Sequence, residues 1–316
     1  MKLVFMGTPD FSVPTLESLI AGGHEVAAVV TQPDKPKGRG NVMQYPPVKE
    51  TALKYDIPVY QPIKVKADEE FMQAMEEIAP DCIVVVAFGQ ILPKRLLDLP
   101  KYGCINIHAS LLPKYRGAAP IQWVIIDGEK TTGVTTMKMD VGLDTGDMID
   151  KIEIPIAEKE TGGSLHDKLT QIGGQLILET LKKLEEGTAI YTKQQDEQSC
   201  YAKMLSKQLG SMDFTKSAVE LERLVRGLNP WPSAYTSYKG KTMKVWQAEC
   251  LPETETWHFA KPGEIVELRK NGILVKTGDG ILMITELQLE GKKRMEAEAF
   301  LRGFAMEVGA VLVPKA

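Results

Sequence analysis

Residues 82–88, CIVVVAF, are apolar at every position. A strand open to water on one side alternates polar and apolar residues, because successive side chains point to opposite faces. An unbroken apolar run bounded by Pro80-Asp81 and Gly89 is instead the pattern of a strand covered on both faces, as in a parallel sheet flanked by helices. The neighbouring text has the same character. Residues 2–6 form an apolar run that breaks at Gly7. A helix is expected from near Pro14, with Leu16, Leu19 and Ile20 on one face and Gly22-Gly23 as its stop. Further strands are expected at 26–31, 59–61, 103–109, 133–139 and 148–156, and helical spacing runs over 72–78 and 165–184. A Ser164–Asp167 capping box is expected to open the second of these helices. Repeated strand–helix units predict an α/β fold, a Rossmann-like, mostly parallel sheet with helices on both faces.

After Gly187 the text turns polar (TKQQDEQS). Beyond it come one amphipathic helix over 217–228, ended by Asn229-Pro230, and short strands with hairpin turns expected at Asn271-Gly272 and Asp279-Gly280. A small OB-like β-barrel is the natural reading. The chain of 316 residues is long enough for two cores and divides into a domain over 1–187, a linker over 188–203 and a second domain over 204–316. Net charge is −4, yet residues from 203 onward carry 17 Lys and Arg against 14 Asp and Glu, whereas the rest carries 21 against 28. A catalytic domain joined to a polyanion-contacting one would show this asymmetry. The four cysteines and four histidines are scattered, so no structural metal is expected and a reducing cytoplasm fits best. The opening MKLVFMGTPDF reaches Pro9 and Asp10 too soon for a signal region, and nothing approaches the roughly 18 continuous apolar residues of a membrane span.

The first strand exits through Gly7-Thr8-Pro9-Asp10-Phe11, without the second and third glycines of a dinucleotide fingerprint, which argues against a nicotinamide cofactor. Chemistry is expected elsewhere. In the strand at 103–109, Asn106 and His108 share a face near its end, just before SLLPKYRGAAP. A strand histidine taken alone is more often a hydrogen-bonded structural residue. Its standing changes with DVGLDTGDM at 140–148, where Gly142 and Gly146 allow a sharp return and Asp144 between them can reach His108. A carboxylate that orients an imidazole, the imidazole that handles protons and an amide that donates to a developing oxyanion make a coherent device. No Ser or Cys nucleophile stands in register with them, which points to direct attack by a substrate's own nucleophile on an acyl carbon.

Asn106-Ile-His108 with SLLPKYRGAAP, followed by DVGLDTGDM, resembles the signature of the formyltransferases that use 10-formyltetrahydrofolate. VFMGTPDF, TQPDKPKGRG at 31–40, AFGQILP at 87–93 and RGLNPWPSAYT at 226–236 extend the resemblance over essentially the whole chain, toward the branch acting on initiator Met-tRNA. The resemblance implies Asn106, His108 and Asp144 as catalytic residues, with 10-formyltetrahydrofolate as co-substrate and no metal. It implies Phe88, Gly89, Gln90, Ile91 and Leu92, together with Ser110, Leu111, Leu112 and Pro113, as folate-contacting segments, apolar and backbone-rich as a flat heteroaromatic ring requires. The basic loop over 31–50 resembles the one that enters the acceptor end of the tRNA, with Arg39 at the base-contacting position and Lys35 and Lys37 beside it. Asn41 and Val42 stand where family members often carry two lysines, which weakens phosphate contact there. Lys203 and Lys207 lead a second set of candidate RNA-contacting cations, with Arg223, Lys239, Lys241, Lys244 and Lys292-Lys293-Arg294, each alone more often a solvated charge but together able to supply the sequence-blind attraction that RNA binding needs; Trp231 is expected in the core. A cytoplasmic monomer is expected. Two alternatives stay open: formylation of a small amine such as a nucleotide sugar or glycinamide ribonucleotide, or an RNA-binding homologue without activity.

Overall fold

The computed structural model of the chain describes residues 1–37 and 42–314. It divides into two compact units, one of Met1–Pro120, Thr131–Pro155 and His166–Ala202, the other of Ile121–Lys130, Ile156–Leu165 and Lys203–Ala316.

The first unit is built on seven strands: β1 (Lys2–Gly7), β2 (Glu25–Val30), β3 (Val59–Tyr60), β4 (Cys82–Val86), β5 (Cys104–His108), β6 (Thr131–Lys138) and β7 (Met148–Pro155). Their order is β7-β6-β5-β4-β1-β2-β3. The first five strands of this sheet pair in parallel, while β6 runs antiparallel to β5 and β7 antiparallel to β6. Every residue of β4 is buried, as its unbroken apolar run requires. Helices supply the cover. α1 (Val13–Ala21) buries Leu16 and Leu19, and α2 (Glu69–Ile78) packs Phe71, Met72 and Met75 against Val4, Met6, Ile83 and Val85 of the sheet. The strand order reverses between β1 and β4, which opens a crevice beyond their carboxyl ends.

In α3 (Gly162–Glu186) the capping box lies one turn earlier than Ser164–Asp167. The Ser164 amide donates to Thr161 Oγ1 at 3.1 Å and the Thr161 amide donates to Ser164 Oγ at 3.0 Å. Helical φ/ψ is available to Gly162-Gly163, so the helix begins there and Ser164 takes the reciprocal place in the box, while Asp167 lies beside His166.

The second unit holds β8 (Ala234–Tyr238), β9 (Lys241–Leu251), β10 (Ile265–Arg269), β11 (Gly272–Lys276) and β12 (Ile281–Leu289), antiparallel in the order β8-β9-β12-β11-β10. The last residues join its two edges: Val313 bridges to Ser237 of β8 and Val311 to Glu264 beside β10. These bridges cover part of both sheet edges and give an OB-like barrel. The helix α4 (Ala218–Gly227), capped by a Ser217/Glu220 box, adds Leu221 and Val225 to the core.

Two further local expectations are corrected. The first hairpin turns at Lys270-Asn271, because Gly272 pairs with Arg269 as a strand residue. Gly272 lies so close to Met283 that a Cβ would fall 2.4 Å from its Cγ, so the glycine serves packing and not the turn. Trp231 is 56% exposed. Leu228 and Ala234 on either side of it take the core positions, leaving Trp231 on the outside of the connection.

Candidate functional site

At the carboxyl end of β5, Asn106 and His108 are buried, 8% and 6% exposed. Val85 of β4 stands beside Asn106, and Thr135 of β6 beside His108. The imidazole Nε2 lies 2.8 Å from the carbonyl oxygen of Tyr115. A carbonyl only accepts, so Nε2 carries the proton and Nδ1 is the open position of the neutral ring. Nδ1 faces Asp144 Oδ2 at 3.7 Å, too long for a hydrogen bond but within ion-pair distance of the carboxylate when the ring is protonated. Asp144 Oδ2 also accepts from the amide of Gly117 at 2.8 Å. The loop after β5 thus holds both members of the pair, one through a carbonyl and the other through an N–H. A side chain on Gly117, whose φ is +109°, would meet the Tyr201 ring at 2.5 Å.

The loop carrying Asp144 works differently from the expectation that its glycines provide the turn. Neither Gly142 nor Gly146 has a positive φ; Asp144 itself does, at 53°. Gly146 is required by crowding, since a Cβ there would lie 1.8 Å from the Lys138 carbonyl oxygen. Asp140 braces the loop from within, its Oδ1 accepting from the Gly142 amide at 2.9 Å and the Thr145 hydroxyl at 2.7 Å.

The segments after β4 and β5 leave adjacent parallel strands at the same end of the sheet. In the first, Phe88 and Leu92 are buried while Ile91 is 79% exposed. The Phe88 carbonyl accepts from Gln32 Nε2 at 3.0 Å. Gln90 turns inward: Oε1 accepts from the Val65 amide at 3.0 Å and Nε2 donates to the Pro62 carbonyl at 3.2 Å. That leaves Gly89 and Ile91 as the exposed face of this segment. In the second, the Ser110 hydroxyl donates to the Lys114 carbonyl at 2.7 Å, and the Leu112 amide donates to Thr135 Oγ1 at 3.2 Å. The Lys151 ammonium donates to the Leu112 carbonyl, and burial lowers its pKa. Leu111, Leu112 and Pro113 line one wall of a cleft of about 490 Å³ shared with Lys151, Glu153 and Gln198; residues 88–92 do not line it.

Of the cations expected to meet RNA, Lys35 is exposed on a short hairpin, Lys35–Lys37 with Val42–Gln44. Lys37 ends its first strand, while Arg39 and Asn41 lie outside the described residues. At the base of this hairpin Lys49 is pinned by Asp34 at 2.7 Å and Gln61 at 2.8 Å. In the second unit Lys203 and Lys207 are exposed. Arg294 forks onto Glu286 at 2.7 and 2.6 Å and lies 4.5 Å over the Trp246 ring, and Lys239 pairs with Glu307. Among the described residues no cluster of His, Cys, Asp and Glu could hold a metal ion, and no helix is long and apolar enough to cross a membrane.

The chain is similar in sequence and fold to known proteins. The profile described as Formyl transferase matches residues 1–181, and that described as Formyl transferase, C-terminal domain, matches residues 204–305. A methionyl-tRNA formyltransferase of Agathobacter rectalis is 57% identical over 98% of this chain and 99% of its own length. The chain belongs to the methionyl-tRNA formyltransferase family. Another member, from Clostridioides difficile, is 54% identical over 99% of this chain and all of its own. Among solved structures, the sugar 3N-formyl transferase WlaRD, crystallised with dTDP and 5-N-formyl-THF, superposes with a TM-score of 0.67 over 93% of this chain and 99% of its own at 19% identity, a likeness of fold. Nothing in the sequence signals that Tyr115, Gly117 and Gln194 contact His108 and Asp144, because two of them act through backbone groups and the third stands in a polar run.

Proposed function

We propose that this protein transfers the formyl group of 10-formyltetrahydrofolate to the α-amino group of methionine on initiator Met-tRNA, with Asn106, His108 and Asp144 as its catalytic residues. One observation carries the reading: a buried imidazole at the end of a sheet strand, its Nε2 proton held by Tyr115 and its Nδ1 facing Asp144 at 3.7 Å. The folate co-substrate supplies the formyl carbon, bonded to a nitrogen that can leave. The methionine amine attacks that carbon, a C–N bond forms and the bond from carbon to the folate nitrogen breaks. Charge gathers on the formyl oxygen as this happens. The Asn106 amide and the Nδ1–H of protonated His108 donate to it, since Nε2–H stays with the Tyr115 carbonyl. The Asp144 carboxylate balances the imidazolium and takes the proton shed by the amine, directly or through water, and that proton ends on the departing nitrogen.

The acceptor is supported by the basic balance of residues 203–316, the exposed Lys35, Lys203 and Lys207, and relatives whose names specify methionyl-tRNA. Exposed Gly89 and Ile91 with half-buried Leu111 and Pro113 suit an apolar ring read by main-chain groups, whereas Gln90 acts as a brace. The protein works as a cytoplasmic monomer, consistent with its scattered cysteines; sedimentation checks its mass. Formyl transfer to charged initiator tRNA, measured beside an amino nucleotide sugar and glycinamide ribonucleotide, is expected to proceed on the tRNA alone. Transfer confined to a small amine, or tRNA binding without turnover, overturns the reading.

A further inference from the structure

We propose that residues 192–202 are a strap belonging to the catalytic apparatus, and that Gln194 is the positioning residue that holds Asp144. The proposal rests on the role given to Asp144 above. Residues 182–203 fall between the two matched family profiles, and their polar composition is that of a connector. Their contacts are not.

The Gln194 side-chain amide, half-buried, donates from Nε2 to the carbonyl of Asp144 at 2.8 Å and to that of Gly146 at 2.8 Å, while its Oε1 accepts from Arg116 Nε at 3.0 Å. One primary amide thereby ties the Asp144 loop to the loop that follows β5. The chemistry is specific. Two N–H donors on one nitrogen and an acceptor beside it are found together only in Gln and Asn, and Asn is one methylene shorter. A lysine could reach both carbonyls but would offer Arg116 no acceptor.

The strap is fastened on either side of Gln194. Thr192 and Met148 exchange backbone hydrogen bonds at 2.9 and 2.8 Å. At the other end the Arg116 amide donates to the Cys200 carbonyl at 2.9 Å, the Ala118 amide to the Ala202 carbonyl at 3.0 Å, and the Tyr115 amide to Cys200 Sγ at 3.2 Å. Tyr115 is the residue whose carbonyl holds His108 Nε2, and Gly117, between these anchors, gives its amide to Asp144. A single stretch of chain therefore sets both sides of the His108–Asp144 pair. Asp144 sits at φ 53°, a left-handed conformation uncommon outside glycine, and the Gly117 amide and the Gln194 side chain hold it from both sides.

A double-mutant cycle in the full chain separates positioning from scaffolding. Gln194→Ala is expected to lower kcat for formylation of Met-tRNA by roughly 10- to 100-fold, the scale of a displacement of about 1 Å at a reacting group. KM for each substrate should stay within about two-fold. In an Asp144→Ala background the same change should cause no further fall. Unchanged kcat in Gln194→Ala, or an equal fall in both backgrounds, overturns the proposal. Unchanged kcat in Asp144→Ala alone shows that the role of Asp144 itself was misassigned, and the proposal falls with it. Should Gln194→Ala fail to fold, Gln194→Met, which fills the same space beside Met137 without donors, serves in the same cycle with the same expected outcomes.

Discussion

The Nε2 of His108 and the carbonyl oxygen of Tyr115 stand 2.8 Å apart, and this contact assigns the roles of the two imidazole nitrogens. Since the carbonyl cannot donate, the neutral ring carries its proton on Nε2, and exchange with substrate or Asp144 takes place at Nδ1. Long-range ¹⁵N–¹H correlation spectra of the free protein are expected to show the Nε2–H tautomer for the neutral His108 ring. An Nδ1–H pattern there would contradict the assignment.

Replacing His108 or Asn106 by Ala removes one donor from the developing oxyanion. Loss of one such donor reduces turnover by about 10²–10³, or roughly 3–4 kcal/mol of transition-state stabilisation. Single-turnover formylation should show this loss for each variant, while tRNA affinity, followed by filter binding, stays nearly constant. A parallel collapse of thermal stability would mean that the buried pair serves the core and not the reaction.

Arg39 lies beyond the described residues, but the hairpin that leads to it is firmly based through Lys49, Asp34 and Gln61. Arg39→Ala is expected to raise KM for charged initiator tRNA by about ten-fold, the effect of losing roughly 1–2 kcal/mol from a guanidinium contact, with KM for the folate unchanged. Equal losses for both substrates would place Arg39 elsewhere in the mechanism.

The same base has an acid-side signature. Hydrogen bonding from the Gln61 amide, and then from the Lys49 ammonium, holds the Asp34 carboxyl below the ordinary carboxylate range. A depressed folded-state value means that the stabilisation is fully present above the unfolded value, near pH 4, and is lost as pH falls through the lower folded value. Asp34→Asn should therefore be less stable than the parent by about 1 kcal/mol at pH 7, and the gap should be constant down to about pH 5 and close below about pH 4. Urea titrations across this range measure it; a gap that widens in acid would reverse the sign of the linkage.

Barrel closure by the last residues makes a distinct claim on stability. Leu312, 1% exposed, sits between Val311 and Val313, which bridge the two sheet edges. Leu312→Ala should lower the stability of the second unit by about 2–5 kcal/mol through lost burial and a residual cavity. Hydrogen exchange of β8 and β10 should rise with it, whereas protection of β4 and β5 should not change.

Much of this protein was decided locally and could be taken from its sequence. CIVVVAF had to be a strand covered on both faces, the strand–helix alternation had to make a largely parallel sheet, and Asn106 with His108 had to share a face near a strand end, because side-chain periodicity and turn chemistry act between near neighbours. Direction and partnership were decided only in three dimensions. The antiparallel pairing of β6 and β7, the closing of the barrel by 311–313 and the exposure of Trp231 depend on which surfaces remain to be covered once the other elements have packed. The partners of the catalytic pair depend on tertiary structure still more. Tyr115 and Gly117 act through a carbonyl and an amide that every such residue possesses, and Gln194 reaches Asp144 from 50 positions away. Backbone groups have no residue identity and long-range contacts have no period, so only the folded chain reveals them.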